Sequence, residues 1–217
     1  MSRRPLVLVL LLAVAPAGCG NERSAARVLT AEPAAATQRL GYPEVGLSLE
    51  LPQNFRVQEA KRPGVFRAAF GSATVSAFAY RRREELPGGQ EELEQALKRL
   101  EKAAKERSPS FELSGSRTRE VGGARAIELL GRQTISQSSL RTRSLHIFEG
   151  RAEYVIELLA PPRQFDRLDK RVSGLIRSSL EITGEVPLGG LQRGALPPFD
   201  AVGGLQRGAL PPFDAIS

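Results

Sequence analysis

Between Gly41 and Thr183, apolar positions recur with two different periods, and the switches between them lay out the fold. Leu47, Leu49 and Leu51 alternate with Ser48 and Glu50, the two-residue period of a strand with one buried face. Pro52-Gln53-Asn54 turns the chain, and Phe55-Arg56-Val57 is expected to pair back. Val65 to Phe70 and Ala73 to Tyr80 read as two strands joined at Gly71-Ser72. After Leu86-Pro87-Gly88-Gly89 the period lengthens. Leu93, Ala96, Leu97, Leu100, Ala103 and Ala104 fall on one helical face, which predicts an amphipathic helix from Gln90 to Glu106. Glu94–Lys98 and Glu101–Lys105 add i,i+4 pairs on its wet side.

The two-residue period then returns in four runs: Phe111–Val121, Ala124–Gln137, Leu140–Glu149 and Ala152–Ala160. Their connections are short, at Gly122-Gly123, Ser138-Ser139 and Gly150-Arg151, so the runs should form an antiparallel meander. Gly131 is expected to mark a bulge in the second run. Pro161-Pro162 closes the last strand. Phe165, Leu168, Val172, Leu175 and Ile176 predict a second helix ending near Ser178, followed by a short strand at Leu180–Ile182. The pattern is that of an α+β domain over residues 41–183, an antiparallel β-sheet flanked by two main helices.

Both flanks of this domain differ in kind. Arg3 and Arg4 precede an apolar run from Leu6 to Val14, the order of a signal peptide over residues 1–18. A helix from Leu6 to Ala17 reaches about 18 Å, short of the roughly 30 Å of a bilayer core. Pro16-Ala17-Gly18-Cys19 is similar to a bacterial lipobox, with Pro16 in place of the usual aliphatic residue. That resemblance implies cleavage after Gly18 and a diacylglycerol thioether on Cys19, the lipidation site and the sole Cys of the chain. Ala15-Pro16-Ala17 also satisfies the small-x-small rule for ordinary secretion, with cleavage before Gly18. Residues 19–40 lack a sustained apolar face and read as a flexible tether. Residues 184–217 form a Gly- and Pro-rich tail, expected to be disordered, in which a 14-residue unit beginning at Gly189 recurs from Gly203. Its Leu-Pro-Pro-Phe core, present twice, is a candidate bivalent docking segment.

Composition removes more functions than it adds. The formal charge is +7, or +5 once Arg3 and Arg4 are cleaved away, and no nucleic-acid motif accompanies it. One Cys excludes an internal disulfide, and one Cys with one His is too few for a zinc site. No Gly-x-Gly-x-x-Gly, Walker or EF-hand spacing occurs, so neither cofactor nor metal is expected. His146 is the only His and lies in a predicted strand between Leu145 and Ile147. It reads as structural, although any Ser–His–acid triad would have to use it. Arg81-Arg82-Arg83 is the densest basic run. With Glu84-Glu85 behind it, it reads as a solvated strand end, the alternative being a phosphate or lipid-headgroup contact.

The element order, together with three local segments, resembles the PsbP-like family, an α/β/α sandwich. That family includes photosystem accessory proteins, a Ran-binding nuclear protein and many actinobacterial lipoproteins. The segments are Gly46-Leu47-Ser48-Leu49-Glu50-Leu51-Pro52-Gln53-Asn54-Phe55, Glu120-Val121-Gly122-Gly123-Ala124-Arg125-Ala126, and Tyr154-Val155-Ile156 with the helix end Ile176-Arg177-Ser178-Ser179-Leu180. Leu49 and Phe55 replace the family's usual aromatic residues. The family shares no catalytic residues, so the resemblance implies a non-catalytic binding or assembly module. The expectation is a monomeric, extracytoplasmic, lipid-anchored protein of the cell envelope with an unidentified protein or envelope partner and no nucleic acid. A secreted envelope hydrolase using His146, or a small apolar ligand carrier with a cavity between sheet and helix, are the competing readings.

Overall fold

The computed structural model describes residues 33–82, 85–183 and 192–193. The signal segment, Cys19, the tether up to residue 32, Arg83-Glu84 and most of the repeated tail lie outside the described residues. The strands are β1 Thr37–Tyr42, β2 Leu47–Pro52, β3 Arg56–Glu59, β4 Gly64–Phe70, β5 Ala73–Arg81, β6 Glu112–Val121, β7 Ala124–Ile135, β8 Ser138–Glu149, β9 Ala152–Ala160, β10 Glu181–Ile182 and β11 Gln192–Arg193. Helix α1 spans Gln90–Arg107 and α2 spans Pro162–Ser179.

The predicted meander β6-β7-β8-β9 is present, and β9 continues it by pairing with β5. The large sheet therefore runs β3-β4-β5-β9-β8-β7-β6, with β11 bridging in parallel to Tyr80 and Arg81 at the end of β5. A small antiparallel sheet, β1-β2-β10, lies apart from it. The architecture is α+β, as the periodicity predicts.

Apolar burial arranges these parts in layers. Phe165, Leu168, Val172 and Ile176 of α2 are buried among Leu47, Leu49 and Leu51 of β2 and Tyr154, Ile156 and Leu158 of β9. The small sheet and α2 thus share one face of the large sheet. On the other face, Leu93, Ala96 and Leu100 of α1 pack against Ile127, Leu129 and Phe148. Each fully buried side chain of this size contributes about 1.5–3 kcal/mol, so the α2 side is the main source of stability. The start of α1 is held by Glu92, whose carboxylate accepts the Gly88 and Gly89 backbone N–H groups in a capping box. Those two hydrogen bonds hold the Glu92 carboxyl below its ordinary range.

Four local expectations differ from the structure. Phe55-Arg56-Val57 does not pair back on β2, because β3 pairs with β4. Strand β1 lies within the residues read as tether. Its exposed and half-buried positions alternate with no buried one, and it is fixed by its ladder with β2 and by Gln38, whose Nε2 donates to Phe55 O at 2.7 Å. The turn between β7 and β8 falls at Ser136-Gln137, two residues before Ser138-Ser139. Both turn residues hold positive φ, 47° and 67°, without the glycine that normally signals such a turn. Finally, Gly131 is not a bulge. The register shift lies in β6, between Leu113 and Gly115.

Gly131 is instead a slot for a ring. A Cβ there would stand 2.5 Å from two atoms of the Phe111 ring and 2.9 Å from Glu112 O. Gly131→Ala is therefore expected to destabilise the fold by about 1–3 kcal/mol in urea unfolding. Gly115→Ala, where a Cβ meets nothing within 4 Å, should be neutral or stabilising by up to about 1 kcal/mol. Equal effects at the two positions would remove the steric account.

Candidate functional site

Side chains alternate across the sheet, so Ser144, His146 and Phe148 of β8 point to the α1 side, as do Glu153, Val155 and Glu157 of β9. Helix α1 packs chiefly on β6 and β7 and meets β8 through Phe148, leaving most of the middle strands without a helix on that side. A seam of buried polar groups occupies that position. Thr142, Ser144, His146, Glu153 and Glu157 are all 5% exposed or less, although they stand on the same strands as the apolar core.

The seam is organised around Glu153. His146 Nδ1 lies 2.8 Å from Glu153 Oε1, and Arg82 donates to Oε2 through its Nε and pairs through Nη2. An ionised carboxylate only accepts, so His146 carries its hydrogen on Nδ1. Ser144 Oγ lies 3.1 Å from the other ring nitrogen. Burial alone would raise the Glu153 pKa. The hydrogen bond and electrostatic pull of His146, followed by those of Arg82, outweigh it and hold the carboxyl below its ordinary range. The basic run read as a solvated strand end is thus corrected at Arg82. Its side chain is 10% exposed and turns inward to neutralise a carboxylate with no access to water.

The sole His joins a serine and an acid in the order Ser144–His146–Glu153, the connectivity of a hydrolase relay. Accessibility decides against that use. Ser144 is 4% exposed and His146 and Glu153 are fully buried. A nucleophile must approach its substrate to roughly 3–3.5 Å. Ser144 sits instead on a strand paired along both edges, with β7 and β9, so the neighbouring ladder groups are committed to the sheet. Among the described residues, no three His, Cys, Asp or Glu side chains gather as a metal site.

What opens beside the seam is a cavity of about 460 Å³. One wall is α1, through Ala96, Arg99, Leu100 and Ala103, and the other is the segment Glu85-Leu86-Pro87. Phe148, Arg82 and Glu153 form its floor. The walls are mainly apolar, and the charged floor is internally neutralised. Such a groove is suited to hold an apolar or amphipathic group, with few fixed polar atoms to orient it. Cys19, the residue predicted to carry lipid, lies outside the described residues. No described helix is long and apolar enough to cross a membrane.

Sequence reasoning flagged His146 and the arginine run but missed Ser144, Glu153 and Glu157. A signal was available. Glu153 and Glu157 share one face of Ala152–Ala160, and acids in an otherwise apolar strand require internal partners.

No family model matches the chain, and no curated protein matches it. Among solved structures, it is similar to cyanobacterial PsbP (CyanoP) from Synechocystis, with a TM-score of 0.53 and 14% identity over 69% of this chain and 94% of that one. It also matches LpqN, involved in cell envelope biogenesis of Mycobacterium tuberculosis, with a TM-score of 0.47 and 16% identity over 68% and 91% of the two chains. A protein of unknown function from Pseudomonas aeruginosa matches with a TM-score of 0.41 and 16% identity over 61% and 88%. The likeness to CyanoP shows that the fold is PsbP-like, as the sequence resemblance implies.

The seam makes stability depend on pH through Glu157. Burial pushes its carboxyl up to about 7 from 4.5, against the opposing hydrogen bond donated by Thr142. The folded state therefore holds a proton that the unfolded chain releases between these values. The contribution of Glu157 to stability is therefore fullest below pH 4.5, falls as pH rises to 7, and is flat above it. Relative to Glu157→Gln, which stays neutral, the wild type should lose about 3 kcal/mol across that window in urea titrations. Parallel stability curves for the two proteins would refute the assignment.

Proposed function

We propose that this chain is an exported, non-catalytic binding protein of the cell envelope, tethered to the membrane by acyl chains on Cys19. The observation that carries the binding reading is the groove between α1 and the Glu85–Pro87 segment. It combines mainly apolar walls, which also carry Arg99 and Glu85, with a charged floor whose groups are already paired. The leader ending at Cys19 supports export, and the absence of any other thiol supports lipid attachment as the role of that residue. Two or more acyl chains give stable anchoring, whereas one gives only marginal binding.

The same groove favours one second reading, a carrier of a small apolar ligand, because its volume falls within the range of ordinary small-molecule sites. The hydrolase reading rests on the Ser144–His146–Glu153 connectivity alone and conflicts with the burial of all three residues.

Fractionation of cells expressing wild type and Cys19→Ala tests the tether. Wild type is expected in the membrane with the mass of an acylated N-terminus, and the variant in the soluble exported fraction. Retention of the variant on the membrane would refute lipid anchoring. For the groove, a fluorescent fatty acid should bind wild type saturably. Ala103→Trp, which fills the groove from its half-buried wall, should bind it about tenfold more weakly with an unchanged unfolding midpoint. Equal binding by both proteins would place the ligand elsewhere. Wild type should also remain unlabelled by a serine-reactive fluorophosphonate, and labelling at Ser144 would restore the hydrolase reading.

A further inference from the structure

The opposite face of the sheet carries a second polar cluster, and it has no part in the groove. Helix α2 packs chiefly on β2, β8 and β9, so its side of β6 and β7 has no helix against it. There Glu128, only 2% exposed, is met by four arginines. Arg117 Nε donates to Oε2 at 2.7 Å, and Arg119 Nε stands 3.0 Å from the same oxygen. Arg143 Nη1 donates to Oε1, and Arg177 Nη1 lies 3.7 Å from it.

The donors of these four side chains are spent unequally. All three nitrogens of Arg143 are engaged, because its Nε and Nη2 also grip Asp169 in a fork of 2.5 and 2.6 Å. Arg117 and Arg119 approach Glu128 through Nε and Arg177 through Nη1, and of these Arg117 alone donates a hydrogen bond to it among the described residues. Among the described residues, their remaining guanidinium groups have no acceptor. The Nε of Arg119 is buried and, despite its distance, makes no hydrogen bond. Four cations against Glu128 and Asp169 leave an excess of two positive charges. That crowding is registered at Arg119. Its pKa is lowered by burial first and then by Arg117, Arg177 and Arg143, while Glu128 opposes the shift.

We infer that Arg117, Arg119 and Arg177, gathered by Glu128 on the uncovered face of β6 and β7, form a site for a phosphate-type oxyanion. Planar guanidinium forks match the spacing of phosphate oxygens, and Glu128 occupies only their inner edges. Their side chains are 56%, 24% and 32% exposed, so the outer edges are accessible. The inner cavity beside Arg143, Ser173 and Arg177 holds about 20 Å³, room for a water molecule at most. The anion therefore sits on the outer side. The phosphate belongs either to a soluble molecule or to a lipid headgroup, and both present the same oxygens.

The test uses the exported chain, intact except for Cys19→Ala, with 15N-detected arginine side-chain resonances. Inorganic phosphate is expected to shift the signals of Arg117, Arg119 and Arg177 saturably, while chloride at equal ionic strength does not. Co-sedimentation with phosphatidylglycerol vesicles, against phosphatidylcholine, forms the second arm. Phosphate binding assigns a soluble ligand, and vesicle binding without it assigns a headgroup. Either response should weaken about tenfold or more in Arg117→Gln/Arg177→Gln. If that double variant fails to fold by circular dichroism, Arg117→Gln alone, at a position more than half exposed, serves as the variant. Absence of both responses, or an undiminished response in the folded variant, overturns the inference.

Discussion

The structure depends on the burial of β9. All nine residues of Ala152–Ala160 are buried, and the strand is paired on one side with β5 and on the other with β8. A strand in that position must satisfy two environments at once. Toward α2 it offers Tyr154, Ile156 and Leu158 to the main core. Toward α1 it offers Glu153 and Glu157, both buried. Burying a carboxylate is costly unless it is paired or protonated, and the two acids adopt one solution each. Glu153 stays ionised between His146 and Arg82, whereas Glu157 keeps its proton toward neutral pH. The seam, the inward turn of Arg82 and the charged floor of the groove all follow from that one strand.

Much of this fold was legible because each long element buries a regular stripe. The α1 stripe Leu93, Ala96 and Leu100 and the α2 stripe Phe165, Leu168, Val172 and Ile176 recur as written in the chain. The meander was legible through its glycine turns, and where the turn lacked glycine, at Ser136-Gln137, the reading slipped by two residues. Strand β1 escaped for a related reason. It buries no residue fully, and its order comes from its ladder with β2 and from Gln38 reaching carbonyls fourteen and more residues away. Local patterns record which face a side chain occupies. They do not record its tertiary partner, which is why Arg82 read as solvated and Glu128 attracted no notice.

The two faces of the sheet divide their chemistry in a consistent way. On the α1 side the charges of the seam are buried or nearly so and mutually cancelled, and the adjoining surface is the mainly apolar groove. On the other side the charges are half-buried and unbalanced, and Arg117 and Arg177 reach water. Coulomb attraction is stronger and less screened away from solvent, so the buried set acts as a closed structural unit. The exposed set keeps an external field. This division separates a structural polar network from surfaces able to respond to a partner.

The alternation also fixes register. Along β8, Thr142, Ser144 and His146 face one way, and Arg143, Leu145 and Ile147 face the other. A slip of one residue against β9 would turn His146 and Ser144 toward Phe165 and Leu168, and would bring Arg143 beneath the groove, away from Glu128 and Asp169. Every misplaced group would be a buried polar atom without its partner, and each costs about 1–3 kcal/mol. Apolar patterning alone would oppose such a slip only through Leu145, Ile147 and their neighbours. Polar partners on both faces of the same strand make the correct pairing the one arrangement in which Arg143 and His146 both meet their acids.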